Sequence, residues 1–270
     1  MTGPRHAFSA YCRYVGASMR GQLQYRASTA MLALGHLAAT ATEFLAIWAL
    51  FERFGTLQGW ALAEIALLYG MTNVAFAIAE AFGRGFDVFD EMVRTGEFDR
   101  VLLRPLGTAL QVGATHLQLL RAGRLVQGAV VLVWAVRALA LDWGAAEVTL
   151  LAAAIAAGSC IFVGLFVLQA TLAFWTVESL EIVNTVTYGG VETTQYPLPI
   201  YDRWLRRLFI VAIPLACATY YPALALLGRA DPLGAPGWLA WIAPAVGPIF
   251  LLASLRIWRV GVRHYRSTGS

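Results

Sequence analysis

Residues 60–107 read WALAEIALLYGMTNVAFAIAEAF followed by GRGFDVFDEMVRTGEFDRVLLRPLG. In the first part, residues 60–82, the only charges are Glu64 and Glu80. A helix of about 20 apolar residues covers the roughly 30 Å of a bilayer's hydrocarbon, so this run predicts a membrane span. The second part, residues 83–107, is its opposite. Phe86, Phe89 and Val93 recur at helical spacing, with Asp87, Asp90, Glu91 and Arg94 on the other faces. Gly96 breaks that helix, Glu97–Leu103 predicts a second short turn, and Arg104-Pro105 ends or restarts it. A span leading into a charged, punctuated, amphipathic loop predicts an all-α polytopic membrane protein with one structured loop.

Five more apolar runs flank this pair, at 27–51, 125–141, 148–175, 208–227 and 238–258. Six spans are therefore expected, the third being short. Composition agrees: 59% of residues are hydrophobic, 13% are charged and the mean hydropathy is +0.64. A soluble domain carries about 25% charge, too much for this chain to match. No repeat, low-complexity tract or soluble insertion stands out, so residues 1–270 read as a single membrane domain. Before the first run, Phe8, Tyr11, Val15 and Met19 alternate with arginines. That spacing predicts a helix over 7–24 lying on the inner membrane surface. No signal-peptide core precedes it, so the N-terminus is expected to be retained.

All 20 basic residues are arginine; there is no lysine. With six spans and the N-terminus inside, seventeen of them fall on the cytoplasmic side, and only Arg53, Arg137 and Arg229 fall outside. The positive-inside rule then predicts that both termini are cytoplasmic. Membrane orientation also explains the net charge of +4 without invoking nucleic acid. Trp48, Trp60, Trp143, Trp238 and Trp241 fall near expected outer edges, and Trp175, Trp204 and Trp258 near inner ones, as interfacial indoles would.

Acids inside spans are costly unless paired or wet. Glu43 falls about 12 Å below the outer end of the first run and Glu64 about 6 Å below that surface. Both are expected in a substrate path or packing network, Glu64 having the alternative of snorkelling to water. Glu80 is placed to pair with Arg84, and Glu178 and Glu181 to pair locally with Arg203, Arg206 and Arg207. Cys12, Cys160 and Cys217 read as small packing residues. Lacking lysine, the chain has no P-loop and no Schiff base. Its four scattered histidines give no metal-ligand spacing, and it has no Gly-x-Ser-x-Gly nucleophile turn. A non-enzymatic membrane component is expected.

The run Gly96-Glu97-Phe98-Asp99-Arg100-Val101-Leu102-Leu103-Arg104-Pro105 resembles the loop of type-2 ABC transporter permeases. Tyr196-Pro197-Leu198-Pro199-Ile200-Tyr201, Ile213-Pro214-Leu215 and Tyr221-Pro222-Ala223 fit a bacterial subfamily of that class. Genes of that subfamily commonly lie beside an ATPase gene and a second permease gene. The resemblance implies an ATP-driven exporter in the bacterial plasma membrane. It also implies a coupling helix between spans two and three, and partly inserted helices between spans five and six. Phe86, Phe98, Asp99, Arg100, Leu103, Arg104 and Pro105 would dock a separate cytoplasmic ATPase that binds ATP and Mg. The permease would pair with a paralogue more readily than with a copy of itself. A self-sufficient secondary transporter or an assembly factor is the alternative, although the paired, repeated broken helices of many such transporters are absent.

Overall fold

The computed structural model describes residue 24 and residues 26–115, 122–175 and 180–265. The surface helix expected over 7–24 lies outside them apart from Gln24, as do Cys12 and Glu178, and the side chain of Glu181. In chain order the helices are α1 (Arg26–Phe54), α2 (Leu62–Asp87), α3 (Phe89–Arg94), α4 (Glu97–Leu102), α5 (Thr108–Thr115), α6 (Ala122–Leu139) and α7 (Ala145–Leu172). They continue with α8 (Leu180–Thr194), α9 (Arg203–Arg207), α10 (Leu215–Ala218), α11 (Tyr220–Leu226), α12 (Leu239–Ile242) and α13 (Val246–His264). The described residues contain no strand, only one isolated bridge, between Leu57 and Trp60.

Four helical stretches are long and apolar enough to cross a membrane: Ala27–Phe54, Leu62–Arg94, Ala145–Leu172 and Leu239–His264. The protein is a multi-pass membrane protein, and two of the six expected spans are not among these four helices. The third is α6, 18 residues long, which at 1.5 Å per residue reaches only about 27 Å. The fifth is broken: Arg203–Ala212 and Leu215–Leu226 meet at 71°. Pro214 is the physical cause. It has no N–H for the helix ladder and its ring crowds the carbonyl four residues back. The chain widens into a π turn over Leu208–Ala212 and leaves helical geometry at Ile213, with φ −126° and ψ 88°. Pro222 is tolerated in the first turn of α11, where its missing donor has no intrahelical partner to lose. The segment between the fourth and fifth runs, read as loop, contains the 15-residue helix α8.

α2 is the axis of the bundle. It packs along α6 and α7, and α7 packs along α13. In a bilayer there is little hydrophobic drive between helices, so close approach of backbones through small residues matters more. A Cβ on Gly70 would lie 2.7 Å from Leu132 of α6, and one on Gly247 2.5 Å from the backbone of Ala157 in α7. α1 packs chiefly on α6 and leaves most of its length uncovered; only 12% of its most apolar window is buried, against 78% for the span beginning at Leu62.

Trp48, Trp175, Trp204, Trp238 and Trp241 are exposed, as lipid-interface residues would be. Trp60 and Trp258 are not; both are buried in the protein. Cys217 is buried and Cys160 half-buried, and both thiols are free. Arg84 bonds Asp87, which also accepts from Gln169 of α7 and Tyr188 of α8. That buried carboxylate ties three helices together at the arginine-rich end.

Candidate functional site

The loop after α2 is folded back onto the bundle. Gly96 takes φ +71°, the left-handed region that a side chain disfavours, so α3 and α4 turn sharply against each other. Phe98 then points inward and is fully buried. Its ring packs edge-on to Phe89 at 5.0 Å and Tyr265 at 4.9 Å, and it also meets Phe174 and Trp258. Phe86 is buried against Trp258 at 5.3 Å. The Trp258 indole donates to Thr108 Oγ1 at 3.0 Å, which fixes the start of α5. Gln111 clamps the other end by donating to the carbonyls of Val101, at 3.1 Å, and Leu106, at 2.9 Å. Burial and the Asp99 carboxylate beside it push the Tyr265 hydroxyl above its ordinary pKa.

This packing divides the residues expected to dock a partner. Phe86 and Phe98 are spent inside the protein, holding the loop in place, so neither offers a surface as folded. Arg100, Leu103, Arg104 and Pro105 are exposed, and Asp99 is half-exposed. Leu103 is 86% exposed and Leu102, which sequence reasoning passed over, 42%. A rigid platform therefore presents two leucines ringed by arginines at the arginine-rich end of the molecule.

Glu64 has a structural task. Its Oε2 accepts the N–H of Ala61 at 2.8 Å, capping α2, and pairs with Arg229 at 2.7 Å. The Arg229 guanidinium also lies 4.6 Å over the Trp60 ring and donates to the Gly59 carbonyl. Glu64 thus staples the start of α2 to the loop after α11. Glu64→Ala is expected to lower stability by about 1 kcal/mol, the usual cost of a lost cap plus a partly exposed ion pair. The check is a thermal melt of the purified chain; an unchanged midpoint contradicts the assignment.

Glu43 is exposed on the single chain, at mid-bundle. α2 reaches the same level at Tyr69, whose hydroxyl donates to the Thr40 carbonyl of α1 and accepts from Gln127 of α6. Glu192 stands near the end of α8, where the Thr194 carbonyl accepts from Thr72 of α2. Four helices therefore converge on one polar cluster. Sequence reasoning found Glu43 alone, because Glu192 lies on a helix taken for loop. The same geometry bears on Arg206: its Nε donates to the Tyr201 carbonyl, and the Tyr201 hydroxyl to Thr193. That arginine is tied to the mid-bundle end of α8.

The described residues contain no group of His, Cys, Asp and Glu able to hold a metal. Comparison with curated proteins and with solved structures finds no match. A family model, described as ABC-2 family transporter protein, matches residues 37–269. That match runs from α1 to the end of the chain and takes in the loop platform, the polar cluster and the broken helix. The chain belongs to the ABC-2 transporter family and is a permease of that family.

Proposed function

We propose that this permease is the membrane subunit of an ATP-driven exporter, with α3, α4 and the turn after them forming the contact with a separate cytoplasmic ATPase. In this reading α6 and the broken α9–α11 segment are the third and fifth of six spans. The arginine-rich end faces the cytoplasm of a bacterial cell, by the positive-inside rule. The chain hydrolyses nothing itself; ATP and its Mg belong to the partner. A second permease, a paralogue in preference to a copy, covers the exposed flank of α1 and completes the path.

The observation that carries the reading is the exposure of Leu102 and Leu103 on a loop held by the buried Phe98 ring, which packs against Phe89, Phe174, Trp258 and Tyr265. Exposed apolar anchors rimmed by charge, on a pre-ordered support, suit partner docking. Movement of the ATPase would pass through Phe98 into Phe174 at the end of α7 and Trp258 of α13.

Leu103→Asp should abolish co-purification of the ATPase, and Leu103→Ala should weaken it about tenfold, as for a central apolar anchor. Replacing both Arg100 and Arg104 with glutamine should slow association more than it loosens the complex. Membrane insertion should be normal in all three, because none of these residues lies in an expected span. Full ATPase association and transport in Leu103→Asp would return the loop to a plain interfacial anchor.

A further inference from the structure

A cavity of about 540 Å³ opens between the start of α5 and the facing sides of α7 and α13. Its two ends differ in chemistry. Thr108 and Arg259 line one end, and Val163, Val167, Leu251 and Leu255 line the rest. Thr108 belongs to the arginine end because its Oγ1 accepts the Trp258 indole N–H at 3.0 Å. The apolar end is placed by Gly164, where a Cβ would lie 2.8 Å from the Phe250 ring and 3.0 Å from Ser254 Oγ. Val163 and Val167 of α7 therefore stand level with Leu251 and Leu255 of α13. From Leu251 to Arg259 the groove runs about 12 Å along α13, at 1.5 Å per residue. That is close to the roughly 15 Å that one leaflet contributes to a bilayer's hydrocarbon.

The polar end is open and its donors are unspent. Nothing lies within 4 Å of a Cβ built on Gly107, the exposed residue beside Thr108. Arg259 is exposed and forms no ion pair among the described residues, and no acidic residue lines the cavity. Thr108 Oγ1 accepts from Trp258, which leaves its own O–H to donate. An arginine without a counter-charge, at the end of an apolar groove one leaflet deep, suits an anion carried on a hydrocarbon chain. Guanidinium matches phosphate oxygens with paired N–H donors.

We propose that the groove between α5, α7 and α13 is a binding site for one anionic phospholipid. Arg259 and the Thr108 hydroxyl hold its phosphate, and one acyl chain lies along Val163, Leu251 and Leu255. Trp258 lines the same groove and packs on Phe86 and Phe98, so the bound lipid buttresses the loop platform from the membrane side. Neither an ATPase nor a cargo enters this site, so its failure and a failure of docking are distinct results.

Native mass spectrometry of the purified full-length chain in a neutral detergent tests this by titration with dioleoylphosphatidylglycerol. Dioleoylphosphatidylcholine, with the same chains and no net charge, is the comparison. The first phosphatidylglycerol should bind about fivefold tighter than phosphatidylcholine, the effect of one arginine beside an anionic headgroup. Arg259→Gln should remove that preference. Arg256→Gln removes an equal charge from an exposed position outside the groove and should keep it. Leu255→Trp fills the apolar end and should weaken both lipids about tenfold. Glycerol 3-phosphate, a headgroup without chains, should not displace the phosphatidylglycerol. Equal affinity for the two lipids, a preference that survives Arg259→Gln, or binding indifferent to Leu255→Trp would overturn the proposal in favour of an unspecific lipid belt. Displacement by glycerol 3-phosphate would overturn it in favour of a free-phosphate site.

Discussion

Phe98→Ala is expected to cost about 3–5 kcal/mol, the range for removing a fully enclosed aromatic ring and leaving a cavity. The ring touches Phe89, Phe174, Trp258 and Tyr265, which belong to the loop, the end of α7 and the end of α13. Its loss should free the loop without unthreading the spans. Limited proteolysis should show this directly: cleavage after Arg94 and Arg100 should become fast in the variant and stay slow in the parent chain. ATPase association should fall as well, although Phe98 has no surface to offer, because the leucine platform loses its support. Equal proteolytic resistance in the two chains would contradict the packing described above.

Gly85→Ala should be the most damaging single-methyl change in the molecule. A Cβ at this position would lie 1.8 Å from the carbonyl oxygen of Val112. Backbone on one side and helix on the other leave no flexible side chain to yield, so α2 and α5 would have to separate. Overpacking of a yielding site costs about 1–3 kcal/mol, and this site cannot yield. The expected result is loss of folded protein on size-exclusion chromatography. Gly189→Ala is the matched control. Nothing lies within 4 Å of a Cβ there, and alanine favours a helix over glycine by about 1 kcal/mol, so its yield should hold or rise. Similar behaviour of the two variants would contradict the α2–α5 contact.

Local patterns in the sequence carried part of this architecture. The Phe86–Phe89–Val93 stripe and the Gly96 break were readable because both depend on near neighbours: helical spacing for one, backbone freedom for the other. Pro214 is itself a helix-breaking signal within the 208–227 run, but the 71° bend it produces depends on how α10 and α11 pack. Phe98 was misread as a surface anchor because its enclosure comes from Trp258 and Tyr265, far along the chain. Glu64 offered no hint of Arg229, 165 residues away. α8 escaped notice because Asn184, Thr185, Thr187, Gly189, Gly190 and Glu192 interrupt any long apolar run. With α8 unseen, the Thr72–Thr194 hydrogen bond that brings this helix against α2 could not be read from sequence.

Docking of an ATPase onto the turn after α4 is tested most directly by a photo-crosslinker built into position 103. Benzoylphenylalanine there, in membranes containing the ATPase and the second permease, should give a covalent adduct with the ATPase upon irradiation. The same probe at position 82, exposed on the flank of α2, should give no ATPase adduct. Adduct at 103 and none at 82 is the result this account predicts. No ATPase adduct at 103 in membranes that still support transport would contradict it.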